Sequence, residues 1–418
     1  MTSIPSQTER EIVASIRRRP NSRSDLLKLA AHLEEIGELN EAKQVYRGNL
    51  PPSLQDRHGL DPYPRSNSEK MNSCERLSWY GEELYPLEPP LNEDPKRNSI
   101  FQEKQVKTRP EFVDLMENCS FIYDGKNRLY SDENGIRNTD HSTVNAYLLI
   151  PRSLDRANAT HLSGMSLMLA GHNSHNFYHW HFDRLTAIGL THSAGIKPRD
   201  IDNILIDKRD TTFQTATLKA AGFKDKQIRH IGIKNSHFIC DQLLMVRQHN
   251  SQGMALSRRH LDWMRRTYLP HSLKFKRTSE RAISRIAIRR DTRTFTNAEY
   301  VYDKLEKHGY RIIQPEHFSY EQQVSLFVNA SHIVAPHGAG LTLATYCKPS
   351  TIIHEFYADQ IQPCFWTISS ALGLNYHNYN CSDITDKATS ACNKNLKERL
   401  EKSISISDTQ LSQVLEEG

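Results

Sequence analysis

From Arg285 to Tyr379 the chain alternates five short runs rich in Ile and Val with four segments of helical spacing, joined by short loops. The strands are expected at Arg285–Arg290, Tyr310–Ile313, His332–Ala335, Thr351–Phe356 and Asn375–Tyr379. The helices fall at Asn297–His308, Tyr320–Ala330, Gly338–Cys347 and Phe365–Leu372. Strands that alternate with helices in this way form a parallel, doubly wound sheet, because parallel neighbours need a crossover connection. In the middle lies Pro336-His-Gly-Ala-Gly-Leu341, where a buried strand stops and small residues open a turn. Backbone N–H groups exposed at such a strand-to-helix turn suit an anion such as a diphosphate.

The rest of the chain divides around this unit. Apolar positions at helical spacing from Ile12 to Tyr46 predict two short helices in residues 1–50. The series Leu33, Gly37, Ala42, Tyr46, Leu50 followed by Pro51 has the spacing of a tetratricopeptide helix pair. One such pair cannot bury its own face, so it docks on the main body or takes a protein partner through residues 10–50. Residues 51–110, rich in Pro, Asn, Ser and charge, read as an irregular linker. Residues 111–275 carry strand signals at Ser120–Asp124, Ala146–Ile150, Met165–Ala170, Ile204–Asp207 and Phe238–Val246, with helices between, and predict a second α/β domain. Residues 276–380 are the unit described first. Residues 381–418 form a polar tail with a helix from about Asn395. Two α/β domains in series leave a cleft between them, and ligands gather at the carboxyl ends of the strands.

Composition limits the function classes. A net charge of +5 over 418 residues gives no reason to expect a nucleic-acid partner. The excess is local: Arg247 to Arg293 holds thirteen Lys/Arg against three Asp/Glu, a face suited to an anionic substrate or an acidic membrane surface. Seven scattered cysteines without a C-x-x-C pair argue for a reducing compartment and against a disulfide framework or structural zinc site. No stretch reaches the length of a membrane span and the first residues lack a signal-peptide core, so the expectation is a cytoplasmic protein, at most peripheral to the inner membrane.

Two groups of residues carry chemistry. At the rim of the C-terminal sheet stand Arg289 and Arg290, the His337-Gly338-Ala339-Gly340 turn and Glu355. Guanidinium forks match phosphate oxygens, turn amides add donors, and a carboxylate holds ribose hydroxyls, together making a nucleotide-diphosphate site without a metal. In the N-terminal domain, His179 and Asp183 are four residues apart on an expected helix capped by Asn173 or Ser174. A carboxylate there fixes the histidine tautomer, and either residue then takes a proton from an attacking hydroxyl. Phe177, Trp180 and Leu185 are expected to face the core. His175 and His179 also have zinc-ligand spacing, yet Asn176 stands where the catalytic Glu of H-E-x-x-H belongs.

These blocks, Asn176-Phe-Tyr-His-Trp-His-Phe-Asp183, Arg289 to Asn297, Pro336 to Leu341 and Ile352-Ile-His-Glu355, stand in the order and spacing of glycosyltransferase family 61, which the chain resembles from about residue 115 to 380. That family includes xylosyl- and N-acetylglucosaminyltransferases and bacterial proteins of capsule and surface polysaccharide. The resemblance implies a GT-B-like architecture, two Rossmann-like doubly wound domains facing a cleft behind a small helical segment. It implies a nucleotide-sugar donor, a glycan or glycolipid acceptor, and inversion with no cofactor and no essential metal. Matched residue by residue, it implies catalysis by His179 and Asp183 and acceptor or cleft contacts from Asn176 and Trp180. Donor binding falls to Arg289, Arg293, Asn297, His337, Gly338, Ala339, Gly340 and Glu355. The chain departs from the family in having His181 and Phe182 where aliphatic residues are common. A nucleotide-sugar epimerase or hydrolase with the same cleft, and a non-catalytic scaffold working through residues 10–50, are the alternatives.

Overall fold

The computed structural model describes residues 7–18, 23–38, 41–42, 45, 74–92, 99–108, 110–123, 128–132, 135–138, 159–171, 173–207, 211–232, 236–247, 256–272, 284–290, 294–357, 362–381 and 404–417. The expected strand at Ala146–Ile150, the side chains of His172 and Arg293, and the stretch from Asn395 to 403 lie outside these residues.

Helices α1 (Gln7–Arg18) and α2 (Arg23–Glu35) pack on each other. Gly37, with φ at +83°, ends the second in the left-handed conformation that glycine adopts without a Cβ penalty. Strands β1 (Cys74–Tyr80), β2 (Leu84–Pro86) and β3 (Gln105–Lys107) then form within the stretch expected as irregular linker. That expectation is corrected by packing: Tyr85, Leu87 and Phe101 are buried in the main core, and the Trp366 indole N–H donates to the Glu88 carbonyl at 2.5 Å. A proline- and charge-rich composition hid apolar anchors spaced too widely to show a period.

The first sheet has eight strands. β4 (Glu111–Tyr123), β5 (Arg128–Asp132), β6 (Gly135–Asn138), β7 (Thr160–Met168), β8 (Asn203–Asp207), β9 (Ile228–Ile231) and β10 (Ser236–Arg247) lie in the order β6-β5-β4-β10-β7-β8-β9, with β1 on β4. β10, β7, β8 and β9 are parallel, joined through α3 (Phe177–His179), a π-helical turn (Trp180–Arg184), α4 (Leu185–Ser193) and α5 (Thr212–Ala220). The expected parallel pairing holds for those four strands. β4 runs antiparallel to β10 and carries an antiparallel extension, a pairing between segments more than a hundred residues apart that no local pattern announces.

The second sheet follows α6 (Arg258–Ser272). Its strands β11 (Arg285–Ile288), β12 (Arg311–Ile313), β13 (His332–Pro336), β14 (Ile352–Tyr357) and β15 (Asn375–Asn380) are all parallel in the order β12-β11-β13-β14-β15. The order reverses between β11 and β13, the switch point at which such sheets leave a crevice for a ligand. Alternation along the strands gives the sheet two faces. Ile286, Ile288, Ile333, Ala335, Ile353, Tyr357 and Tyr376 turn to a core shared with the first sheet, built with α4, α6, α8 (Tyr320–Asn329) and α9 (Cys364–Leu372). Ala287, Val334, Phe356 and Tyr379 turn the other way, onto α7 (Ala298–Lys307) and α10 (Asp408–Glu416). The main core therefore runs without a break from one sheet to the other. No helix among the described residues is long and apolar enough to cross a membrane, and Cys240, Cys347, Cys364 and Cys381 carry free thiols.

A buried polar chain ties the two halves. His181 Nδ1–H donates to the Phe177 carbonyl at 2.6 Å, its Nε2 accepts from the Tyr320 hydroxyl at 3.1 Å, and Tyr320 meets Tyr346 at 2.7 Å. The His260 Nε2–H donates to the His181 carbonyl at 2.9 Å. Burial pushes the imidazoles of His181 and His260 down from 6.5 to about 3 and about 4, so both are neutral in the folded state. The unfolded chain binds these two protons more readily, and stability therefore falls as pH drops below 6.5, by up to about 1.4 kcal/mol per pH unit for each group. Urea midpoints measured stepwise from about pH 8 to about pH 4.5 should decline below about pH 6.5. A flat profile would contradict this assignment.

Candidate active site

The loop after β7 sets the first half of the site. Asn173 lies at a left-handed φ of +59°, a conformation asparagine tolerates. The Ser174 hydroxyl donates to the Asp207 carboxylate at the end of β8, and Gln214 Nε2 donates to the Ser174 carbonyl at 2.9 Å. Asn176 then caps α3: its side-chain oxygen accepts from Tyr178 N–H at 2.9 Å and His179 N–H at 3.3 Å. Its acceptor is committed to starting the helix, and the residue stays exposed. Trp180, expected in the acceptor cleft by resemblance, is fully buried and donates its indole N–H to Thr217 Oγ1 at 2.9 Å. Its place is the core, as helical spacing predicts.

His179 and Asp183 come together. The His179 Nδ1 and Asp183 Oδ2 atoms are 2.7 Å apart, with Asp183 6% exposed and His179 35% exposed. The turn that joins them is π-helical: the Leu185 N–H reaches the Trp180 carbonyl, five residues back, and a bulge of that kind marks functional sites in many helices. The expected α-helix is thus a π turn here, and the four-residue spacing still brings the pair together.

The second half is built at the ends of β11, β13 and β14. His337 Nδ1 lies 2.6 Å from Glu355 Oε1, and the Tyr376 hydroxyl donates to Glu355 Oε2 at 2.7 Å. Glu355 is completely buried. This corrects its expected role as a ribose ligand: both oxygens are engaged inside the protein, and the carboxylate orients the His337 ring. That ring stacks on Tyr357 at 4.9 Å and meets Phe365 at 5.6 Å, while Tyr178 meets the same Phe365 at 5.8 Å. His337 from one half and Tyr178, the neighbour of His179, from the other thus meet one aromatic side chain.

Arg289 and Arg290 separate. Arg289 shares the face of Ala287; its guanidinium lies over the Tyr302 ring at 5.5 Å and pairs with Glu299 at 3.0 Å on the surface. Arg290 shares the face of Ile288 and lies so close to Gly338 that a Cβ there would overlap its guanidinium. Gly338 is required for that close approach, its backbone being extended (φ 162°). The expected placement of Arg289 at the turn is corrected: strand alternation gives that place to Arg290. Asn297 is corrected as well, since its amide donates to the Ile406 carbonyl at 2.8 Å and accepts from the Ile406 N–H at 3.3 Å, a pairing that fastens the segment before α10.

The turn opens a 3-10 helix, Ala339–Tyr346, in place of the expected α-helix. Leu341 N–H makes the first bond, to the Gly338 carbonyl at 3.0 Å, so the Ala339 and Gly340 amides precede it at the mouth of a cavity. That cavity, about 410 Å³, lies at the β11/β13 switch point. Arg290, Ala339 and Gly340 line one side; Phe177, Phe213 and Tyr320 line the other, with Glu316 and Glu321 near the start of α8. Phe177, expected to face the core, thus lines the cavity, and Phe213, Tyr320, Glu316 and Glu321 carried no signal in the sequence because they come from separate elements without a common motif.

The protein is thus a two-sheet α/β structure with a histidine–aspartate pair two residues beyond Phe177, and a cavity, lined in part by Phe177, that joins a cation to backbone amides. A family model described as Glycosyltransferase 61 matches residues 177–354, a span that holds His179, Asp183, Arg290 and the Gly338–Gly340 turn. No curated protein matches the chain. That match supports glycosyltransferase family 61, and the protein is a glycosyltransferase, with a sugar donor and an acceptor as its substrates.

Proposed function

We propose that the protein transfers a sugar from a nucleotide-sugar donor to a glycan or glycolipid acceptor with inversion, in a GT-B-like arrangement and without an essential metal, in surface polysaccharide synthesis on the cytoplasmic side of a membrane. The observation that carries the reading is the cavity at the switch point of the second sheet, where Arg290 stands beside the Ala339 and Gly340 amides. A guanidinium and two backbone N–H groups are the donors that a diphosphate needs. Glu316 or Glu321 takes the ribose hydroxyls in place of Glu355, and Phe177, Phe213 and Tyr320 offer ring faces to the base.

In the transfer step the acceptor oxygen attacks the anomeric carbon while the bond from that carbon to the diphosphate oxygen breaks, its electron pair leaving with the phosphate. His179 accepts the acceptor's proton at Nε2. Its Nδ1–H donates to Asp183 at 2.7 Å, which sets the tautomer and steadies the imidazolium that forms. Arg290 and the turn amides meet the charge that develops on the leaving group. The second histidine–carboxylate pair, His337 with Glu355, links the end of β13 to β14.

A thermal-shift panel of nucleoside diphosphates and nucleotide sugars tests the donor site. A matching nucleotide at a hundredfold excess over its Kd adds about 2.7 kcal/mol to stability, a rise of several degrees in Tm. The product made with that donor should carry the inverted anomeric configuration by NMR. If no nucleotide shifts Tm, the cavity is not a nucleotide site.

A further inference from the structure

The face of the second sheet turned away from the catalytic side gathers three groups able to hold a metal. His354 on β14 and His377 on β15 are register partners, and strand alternation turns both to the face of Phe356 and Tyr379. Their rings lie 4.9 Å apart. Glu417, just past α10, places a carboxylate oxygen 2.9 Å from His377 Nε2. One nitrogen of each imidazole and one oxygen of the carboxylate lie within 4.8 Å of one another. His354 is fully buried, its Nδ1 lies 3.3 Å from the Tyr379 hydroxyl, and its Nε2 has no hydrogen-bond partner among the described residues. A buried polar atom left without a partner is costly, and native proteins keep few of them. Two strands spend histidines where apolar residues would pack, beside the carboxylate of a separate element.

We propose that His354, His377 and Glu417 bind one divalent transition-metal ion, Zn²⁺ being the best chemical match. Two imidazole nitrogens and one carboxylate oxygen are a zinc donor set, whereas Mg²⁺ and Ca²⁺ ask for oxygen ligands throughout. The Tyr379 hydroxyl at His354 Nδ1 plays the part of an outer partner that fixes the ring and leaves Nε2 for the ion. Drawing the three ligands to bonding distance needs a short inward movement of Glu417, whose side chain is 38% exposed and has room to make it. The ion fastens α10, which buries Leu411 and Val414, to β14 and β15. Because His354 and Glu355 point to opposite faces of β14, the site braces the donor-side sheet and takes no part in the transfer step.

The test uses the full chain stripped of metal with a chelator, then titrated with Zn²⁺ against a chromophoric competitor and, separately, with Co²⁺ under a visible spectrum. Wild type should bind one Zn²⁺ per chain, rise in Tm with added Zn²⁺, and give the intense visible bands of low-coordinate Co²⁺. E417Q changes a partly exposed side chain and H377N keeps a polar group in place; circular dichroism checks that both fold. Each should weaken Zn²⁺ binding by at least about tenfold. H179A, which removes the other histidine pair at ligand spacing, should bind as wild type does. Absence of stoichiometric Zn²⁺ in wild type, undiminished affinity in either E417Q or H377N, or loss of binding in H179A would overturn the proposal. None of these readouts depends on transferase activity.

Discussion

Replacing His179 by alanine is expected to lower the rate of sugar transfer by about 10² to 10⁴, the usual worth of a positioned general base. The fold should persist, because the ring is 35% exposed and its loss opens no core cavity. Asp183→Asn separates the two roles. The asparagine oxygen still accepts the Nδ1–H bond, but the charge that steadies the imidazolium is gone, so activity falls while nucleotide binding, read by thermal shift, stays near wild type. A His179→Ala enzyme with nearly full activity would remove His179 from this role and leave Asp183, 6% exposed, as the base to test.

The parts of this molecule that a reader of the sequence can see are those fixed by local spacing. The five parallel strands follow from alternating Ile/Val runs and helical segments, and the His179–Asp183 contact follows from a separation of four residues, which a π turn tolerates as an α-helix does. What escapes is set by partners far along the chain. Glu355 looks like a ribose ligand until His337, eighteen residues earlier, and Tyr376, twenty-one later, occupy its two oxygens. Asn297 looks like a donor ligand until Ile406 takes both ends of its amide, 109 residues away. The antiparallel wing of the first sheet depends on β4 meeting β10. Long-range pairings of this kind carry no periodic signal. Arg290 was legible in principle: Ile286, Ile288 and Arg290 have one parity, and the apolar members show which face is buried.

That parity yields a paired experiment. Arg290→Ala is expected to slow transfer by about 10² to 10³, the cost of removing one preorganised donor from a developing anion, whereas Arg289→Ala should change it less than about threefold. Arg289 forms a surface pair with Glu299 at 3.0 Å, and exposed pairs of that kind contribute about 0 to 1 kcal/mol. Arg290 touches the Gly338 backbone inside the cavity lining, where water is scarcer and a charge acts more strongly. Arg290→Lys keeps the charge but loses the planar fork, so it should recover only part of the rate. If the guanidinium acts on the leaving group, the loss appears mainly in kcat, with a smaller change in the KM for the donor. Gly338→Ala supplies an independent check, because its Cβ would displace the guanidinium without removing it, and its kinetic defect should resemble that of Arg290→Ala. Should Arg289→Ala prove the slower enzyme, the face assignment of β11 at the site would be wrong, and the diphosphate would have to lie on the α7 side of the sheet.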